Sequence, residues 1–96
     1  MRFEWDATKA GKNAKKHGIT FDEAVTAFDD PFALITLDAK HSKSEKREWL
    51  LGESDVGVLV VIFTIRQPGN IYRIISARKA KRKERIRYEQ IKQFSV

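Results

Sequence analysis

Apolar residues recur at two different spacings along the chain, and these spacings divide it into helices and strands. A helical spacing of i, i+3, i+4, i+7 is followed by Phe21, Ala24, Val25 and Phe28. Thr20 and Glu23 precede this stripe with capping-box spacing, so a helix is predicted to begin there. An earlier helix is predicted between a cap at Asp6 and a stop at Gly18, following a short strand at 3–5.

The second half of the chain has the alternating and continuous apolar runs of strands. Four strands are predicted, at 32–38, 47–53, 58–66 and 71–77. The connections are short and have turn compositions, "SDVG" and "QPGN", which predicts an antiparallel meander. The run at 58–65 is apolar on both faces and is therefore predicted to be the central strand, whereas 32–38 is expected nearer an edge.

A closing helix is predicted at about 79–93. At 100° per residue its apolar face carries Ala80, Tyr88, Ile91 and Phe94, and the opposite side carries Arg78, Lys81, Arg82, Arg85 and Lys92. The predicted order is therefore βααββββα. This order indicates an α+β fold, in which helices pack on a twisted antiparallel sheet.

Charge is concentrated in the predicted closing helix. The 96 residues carry a net charge of +6, and the segment from Arg78 to Lys92, with eight basic and two acidic residues, also carries +6. The length fits a single domain spanning 1–96, and a basic block of this kind predicts a polyanionic partner, nucleic acid before an acidic protein or an anionic membrane. No apolar run is long enough to span a membrane, and the absence of cysteine fits a cytoplasmic location.

Most catalytic chemistries lack their residues in this sequence. There is no cysteine, no nucleophile-elbow motif and no glycine-rich phosphate loop, and the two histidines, His17 and His41, are far apart in sequence. Neither a metal site nor a cofactor is expected. Cleavage of RNA by its own 2′-hydroxyl remains open to such a chain, because it needs chiefly positioned cations to hold the strand and stabilise the phosphorane.

Arginines near strand ends are the candidates for that role. Arg66 ends the predicted central strand and Arg78 follows the last strand, so the two guanidinium groups are hypothesised to converge on one phosphate. The alternative is that Arg66 and Arg73 lie on a solvated strand face or pair with Glu48 or Glu53.

Other candidates have a binding role or two open interpretations. Residues predicted to position phosphates are Lys81, Arg82 and Arg85. His17, at a helix C-terminus, is interpreted either as a packing residue or as a proton-transfer group. Trp5 is either a core residue or a platform on which a base stacks, and Trp49 is assigned to the core.

Several short motifs together resemble those of the BrnT family of bacterial toxins. They are "FEWD" at 3–6, "KHG" at 16–18, "RIISARKA" at 73–80 and "KER" at 83–85. The resemblance implies a RelE-like fold and a metal-independent endoribonuclease that halts translation. It also implies neutralisation by a BrnA-like antitoxin with a ribbon-helix-helix part, through which the complex would bind operator DNA.

The resemblance also implies site residues. The matching signature positions are Trp5, Lys9, His17, Arg47, Arg66, Arg78 and Lys79. The expected catalytic residues are thus Lys9, His17, Arg66 and Arg78, and the expected RNA-binding residues are Trp5, Lys79, Lys81, Arg82 and Arg85. The alternative is a binding module without catalysis, a degenerate toxin whose basic surface docks an acidic protein or nucleic acid.

Overall fold

A computed structural model describes residues 1–95, and within it one five-stranded sheet carries helices on both faces. The elements are β1 (Arg2–Glu4), α1 (Ala7–His17), α2 (Phe21–Thr26), β2 (Leu34–Leu37), β3 (Glu48–Ser54), β4 (Gly57–Arg66), β5 (Ile71–Lys79) and α3 (Arg82–Phe94). Two 3-10 helices that the sequence did not predict, at Ala27–Asp29 and Ala39–His41, interrupt this order. Within residues 1–95 no helix has the length and apolar character required to cross a membrane.

The strands lie in the order β1-β5-β4-β3-β2. The meander from β2 to β5 is antiparallel, with β4 at the centre and β2 at an edge, as predicted. However, β1 pairs with β5 in parallel, so the α+β class is confirmed but the prediction of an antiparallel sheet is wrong. Tight turns dictate antiparallel neighbours, whereas β1 reaches the sheet edge from a distant part of the sequence and no turn constrains its direction.

The last strand and the last helix also differ from their predicted bounds. β5 continues to Lys79, which pairs with Leu59 of β4, so Arg78 and Lys79 belong to the strand that was predicted to end at 77. α3 begins only at Arg82, where the Glu84 carboxylate accepts a hydrogen bond from the backbone N–H of Lys81 at 2.7 Å. This bond satisfies one of the free N–H groups at the helix start.

One face of the sheet holds the core, and it is named here the helix face because α1 and α2 pack on it. It is formed by side chains such as Leu50, Val61, Phe63, Ile74 and Ala77, against which the α1–α2 segment packs Ile19, Phe21, Ala24 and Ala27. Both predicted bonds of the Thr20–Glu23 capping box are present, at 3.0 and 2.8 Å. Apolar burial of this kind stabilises the fold by roughly 25 cal/mol per Å² of buried surface.

Asn13 attaches α1 to the sheet edge. Its carboxamide donates to the carbonyl oxygens of Ala77 at 2.8 Å and Ile19 at 3.0 Å, and accepts from the Ala77 N–H at 3.1 Å. It therefore pairs with β5 beyond the end of β1, much as a neighbouring strand would. This bond set fixes the position of the α1 side chains relative to β5.

The face opposite the core is named here the arginine face, after Arg66, Arg73 and Arg78, which the register and strand alternation place on it. α3 covers one end of this face. Its anchor is Tyr88, which is fully buried and donates a hydrogen bond to the Asp30 carboxylate.

Two positions predicted on the faces of α3 are corrected. Phe94, assigned to the apolar face, is 88 % exposed, because the helix ends there beyond the sheet. Lys92, assigned to the basic side, turns inward: its ammonium lies over the rings of Phe32 and Tyr88 and pairs with Glu53 at 3.4 Å. Lys92 turns inward because it lies four residues after the buried Tyr88, on the same face of the helix.

Candidate functional site

Arg78 is held in place on the arginine face by a carboxylate. Its Nη1 and Nη2 donate to the two oxygens of Glu84 at 2.8 and 3.0 Å, a bidentate pair between β5 and the first turn of α3. The bonds to Glu84 raise the pKa of Arg78, and the bonds from Arg78 lower the pKa of Glu84 despite partial burial. The guanidinium is thus fixed and charged, and a quarter of its side chain stays exposed.

An aromatic ring lies beside this guanidinium. The Arg78 Cζ is 6.0 Å from the ring centroid of Trp49, which lies on the arginine face of β3. Trp49 pairs with Ile62 and is only partly buried, so the assignment of Trp49 to the core is wrong. In such an arrangement the cation can bind a phosphate while a base stacks on the indole ring.

Arg66 lies at the opposite end of the same face. In the register Arg66 pairs with Ile71 and Arg78 pairs with Val60, six residues away along β4, which is about 20 Å at roughly 3.3 Å per residue. The hypothesis that Arg66 and Arg78 converge on one phosphate is therefore wrong, although both lie on one face. The sequence hypothesis left open the depth of each arginine along the sheet, and the β4–β5 hairpin places Arg66 next to its turn and Arg78 at its far end.

A carboxylate also accompanies Arg66. Glu4 of β1 forms an ion pair with Arg73 and lies 3.8 Å from Nη1 of Arg66. The pairing expected with Glu48 or Glu53 is therefore replaced by pairing with Glu4, which parallel β1 brings next to β5. Arg66 remains half exposed at the end of the sheet.

A basic groove borders the arginine face along the free edge of β5. It is lined by Lys9, Lys12, Asn13, Lys16 and His17 of α1 and by Ile75 and Ser76 of β5. The structure thus brings together two of the expected catalytic residues, Lys9 and His17, but separates both from Arg66. Ser76, which pairs with Ile62, connects this groove to the arginine face.

A second basic pocket lies on the β2 side of the sheet. It is lined by Lys40, His41, Lys43 and Arg47. The imidazole Nδ1 of His41 lies 3.0 Å from Oδ2 and 3.2 Å from Oδ1 of Asp38. Burial works against ionisation of Asp38, yet the interactions with Trp49 and His41 hold its pKa below the ordinary value.

The remaining predicted binding residues do not lie on the arginine face. Arg82 and Arg85 line a shallow groove on the outer side of α3 with Ile86, Glu89, Gln90 and Gln93. Lys79 pairs with Leu59 and is exposed at the end of β5, on the helix side of the sheet. Trp5 packs edge-on against Phe21, with ring centroids 5.9 Å apart, so its ring belongs to the margin of the core.

Lys81 takes a structural position at the start of α3. Its backbone N–H is the group that Glu84 caps, and its side chain is exposed.

Among residues 1–95, no group of three or more His, Asp or Glu side chains is arranged to hold a metal ion.

Several site residues were missed by sequence reasoning. They are Glu4, Lys12, Lys16, Asp38, His41, Trp49 and Glu84. Strand alternation next to Leu50 was a usable signal for Trp49. For Glu4 and the Asp38–His41 pair there was none, because their contacts follow from strand pairing and from an unpredicted 3-10 helix.

The sequence was also compared with known proteins and protein families. A search of curated proteins finds no match. A family model described as the ribonuclease toxin BrnT of type II toxin–antitoxin systems matches residues 5–84. That match includes α1, the whole meander and the Arg78–Glu84 pair, and so covers most of the 96 residues. The chain therefore belongs to the BrnT family of ribonuclease toxins of type II toxin–antitoxin systems.

Proposed function

We propose that this protein is a metal-independent endoribonuclease that inhibits translation by cleaving RNA in the cytoplasm. The reaction is attack by an RNA 2′-hydroxyl on the neighbouring phosphorus. The observation that carries the proposal is the fixed guanidinium of Arg78 beside the partly exposed ring of Trp49, on a sheet face bordered by basic groups. Membership in a family of ribonuclease toxins supports RNA cleavage as the activity.

The residues have distinct tasks in this proposal. The bound strand crosses the arginine face, with a base against Trp49 and the scissile phosphate at Arg78. Guanidinium N–H groups match two phosphate oxygens and stabilise the additional charge of the phosphorane. Because Glu84 holds Arg78 before RNA arrives, little side-chain entropy is lost on binding.

The groove on α1 extends the strand path beyond β5. Lys9 and Lys12 supply charge for flanking phosphates, and His17 at the groove supports binding or proton movement. Arg66 is placed to contact the strand about 20 Å from Arg78, as a positioning group and not as part of one catalytic pair. The Arg82 and Arg85 side of α3 serves long-range attraction of RNA or contact with the antitoxin.

The test uses purified, antitoxin-free protein and end-labelled RNA in excess EDTA. Cleavage is expected to persist in EDTA and to leave 2′,3′-cyclic phosphate and 5′-hydroxyl ends. RNA with methylated 2′-hydroxyls should stay intact, because the nucleophile is blocked. A wild-type protein that cleaves only when a divalent metal is added, or that cleaves the methylated RNA, contradicts the mechanism.

Variants at one position test the role of the guanidinium. Arg78→Lys keeps the charge but loses the fork, and a decrease in cleavage rate of roughly 100-fold is expected from loss of transition-state donors. Lys15→Ala, an exposed α1 residue outside the groove, is the matched control and should cleave normally. Equal rates for Arg78→Lys and wild type would remove Arg78 from the mechanism.

The partner in this proposal is a BrnA-like antitoxin with a ribbon-helix-helix part, and operator DNA is bound only through it. The support is membership in a type II toxin family together with the exposed basic surface of α3. Co-expression of the neighbouring reading frame is expected to relieve growth arrest caused by this protein alone. Growth arrest that no adjacent reading frame relieves contradicts this pairing.

The second candidate is a binding module without catalysis. It is favoured by one observation: both arginines first expected to act in catalysis are already paired with carboxylates, Arg66 with Glu4 and Arg78 with Glu84. In that case the wild-type protein binds RNA or an acidic protein with strong salt dependence but leaves RNA intact in every condition. Growth arrest on expression would then be insensitive to Arg78→Lys.

A further inference from the structure

The Asp38–His41 pair has the geometry of an oriented acid–base group. Asp38 is buried, with 6 % of its side chain exposed, whereas 55 % of the His41 side chain is exposed. The carboxylate contacts Nδ1 of the ring at 3.0 Å. A neutral imidazole that donates its Nδ1–H to Asp38 presents its Nε2 lone pair to solvent.

The pair is built into the fold at three points. The Asp38 N–H donates to the Arg47 carbonyl at 2.8 Å, which extends the β2–β3 pairing by one residue. The Ser42 hydroxyl donates to the Asp38 carbonyl and accepts from the Arg47 N–H, and so closes the turn that carries His41. The connection between β2 and β3, which carries both Asp38 and His41, is therefore fixed by these hydrogen bonds.

The pair also lies on the sheet face that carries the proposed site. The register aligns Thr36 with Trp49, so Asp38 continues along β2 on the arginine face. The Trp49 indole N–H is buried and lacks a hydrogen bond of ordinary geometry, yet the indole approaches Asp38 closely enough to influence its ionisation. Asp38 and Arg78 are thus both neighbours of Trp49.

We propose that His41 is the general base of the ribonuclease reaction and that Asp38 is its positioning residue. This inference rests on the proposed function. Nε2 of His41 accepts the proton of the 2′-hydroxyl while the 2′ oxygen forms its bond to phosphorus. The bond from phosphorus to the 5′ oxygen breaks, that oxygen takes a proton from solvent, and His41 later returns its proton to solvent.

Charged groups surround the pair. Lys40, Lys43 and Arg47 are cations in the same pocket as His41, and Asp38 is the carboxylate in contact with the ring. The same cations attract the phosphate backbone toward His41. His17, the only other histidine in the chain, lies in the groove beyond β5 on the other side of the arginine face.

The experiment measures single-turnover RNA cleavage against pH, from roughly pH 5 to 9, the range in which imidazoles titrate. The wild-type rate is expected to fall toward acid, because protonated His41 accepts no proton. His41→Gln should lose roughly 100-fold in rate or more at neutral pH and should lose the acid limb. His17→Gln is expected to retain that limb, whatever its effect on the rate.

Asp38→Asn tests positioning. It should lower the rate and shift the acid limb, since an amide neither stabilises the imidazolium nor fixes the tautomer. Thermal unfolding is measured in parallel, and RNA binding by His41→Gln at neutral pH should stay within about twofold of wild type. A merely structural role of His41 lowers stability without removing the acid limb.

The outcomes separate this inference from the function beneath it. If wild-type protein cleaves RNA in EDTA and folded His41→Gln keeps both its rate and its acid limb, the inference is overturned and the proposed function stands. An acid limb lost in His17→Gln overturns it equally. If wild-type protein leaves RNA intact at every pH, the proposed function itself fails, and the inference fails with it.

Discussion

Replacing Asn13 tests how α1 and its groove are attached to the sheet. In Asn13→Ala the N–H and carbonyl of Ala77 and the carbonyl of Ile19 lose their partners. Both residues are about 1 % exposed, so these groups are left in a nearly water-free environment. Each unsatisfied buried group costs about 1–3 kcal/mol. We expect the loss for the three groups together to be only ~3 kcal/mol, because Asn13 borders solvent and water can reach part of the vacated space.

The measurement is equilibrium urea unfolding at pH 7, with tryptophan fluorescence as the signal. In a thermal unfolding experiment, the same loss of ~3 kcal/mol would appear as a decrease in Tm of roughly 12–24 °C for a chain of this length. Lys15→Ala, on the exposed side of the same helix, is the control and should change stability by less than about 0.5 kcal/mol. A loss below about 1 kcal/mol for Asn13→Ala would refute the assignment of Asn13 as a substitute for a neighbouring strand.

Asn13→Asp adds a dependence on pH with a definite sign. The introduced carboxylate accepts from the Ala77 N–H but faces two carbonyl oxygens to which it donates nothing, so at pH 7 its loss should equal or exceed that of the alanine variant. Burial beside those oxygens raises the pKa of the introduced carboxyl above its unfolded value. The folded state therefore binds more protons, and the destabilisation should shrink as the pH falls from 7 toward 5.

Three further changes have expected effects on stability. Tyr88→Phe removes a buried donor to Asp30 and should cost about 1–2 kcal/mol at pH 7. Hydrogen bonds lower the pKa of Asp30, although burial opposes this shift. Their contribution to stability is therefore fully present above the unfolded pKa of about 3.9, and the stabilities of wild type and variant should converge as the pH falls and Asp30 is protonated. Gly18→Ala, at φ +71°, should destabilise by about 1 kcal/mol, while Gly11→Ala, in open space inside α1, should stabilise by roughly 0.5–1 kcal/mol, and the reverse order contradicts the cap assignment. Phe94→Ser should change the free energy of unfolding, measured in urea, by less than about 0.5 kcal/mol. A loss as large as that of a buried side chain would instead support the prediction that Phe94 lies on the apolar face.

The local features of the fold were predictable because they depend on neighbours in sequence. The cap of α1 at Asp6, the capping box of α2 and the central position of β4 all follow from residues a few positions apart. Short turns likewise determine which strands of the meander are neighbours. The direction of β1 and the position of Phe94 were not predictable, because each depends on packing between segments that no turn joins.

The candidate site was predictable in residue type more than in geometry. The charge pattern identified Arg78 and the family resemblance identified Lys9, and both border the arginine face or its groove. The β4–β5 hairpin then separated Arg66, next to its turn, from Arg78, at its far end. His41 was set aside because it lies far from the other histidine in sequence, yet a 3-10 turn brings it onto Asp38.

The two carboxylate-paired arginines bear on how such a site would select its substrate. A phosphate that approaches Arg78 must share or displace Glu84, so binding of an isolated phosphate gains little over the existing pair. A longer strand that also contacts the α1 groove and the Trp49 ring gains further interactions at the same time. In the proposed reaction, discrimination in favour of RNA strands over free nucleotides therefore follows from the pairing of Arg78 with Glu84, and Glu84→Gln should weaken that discrimination by improving the binding of short oligonucleotides relative to long ones.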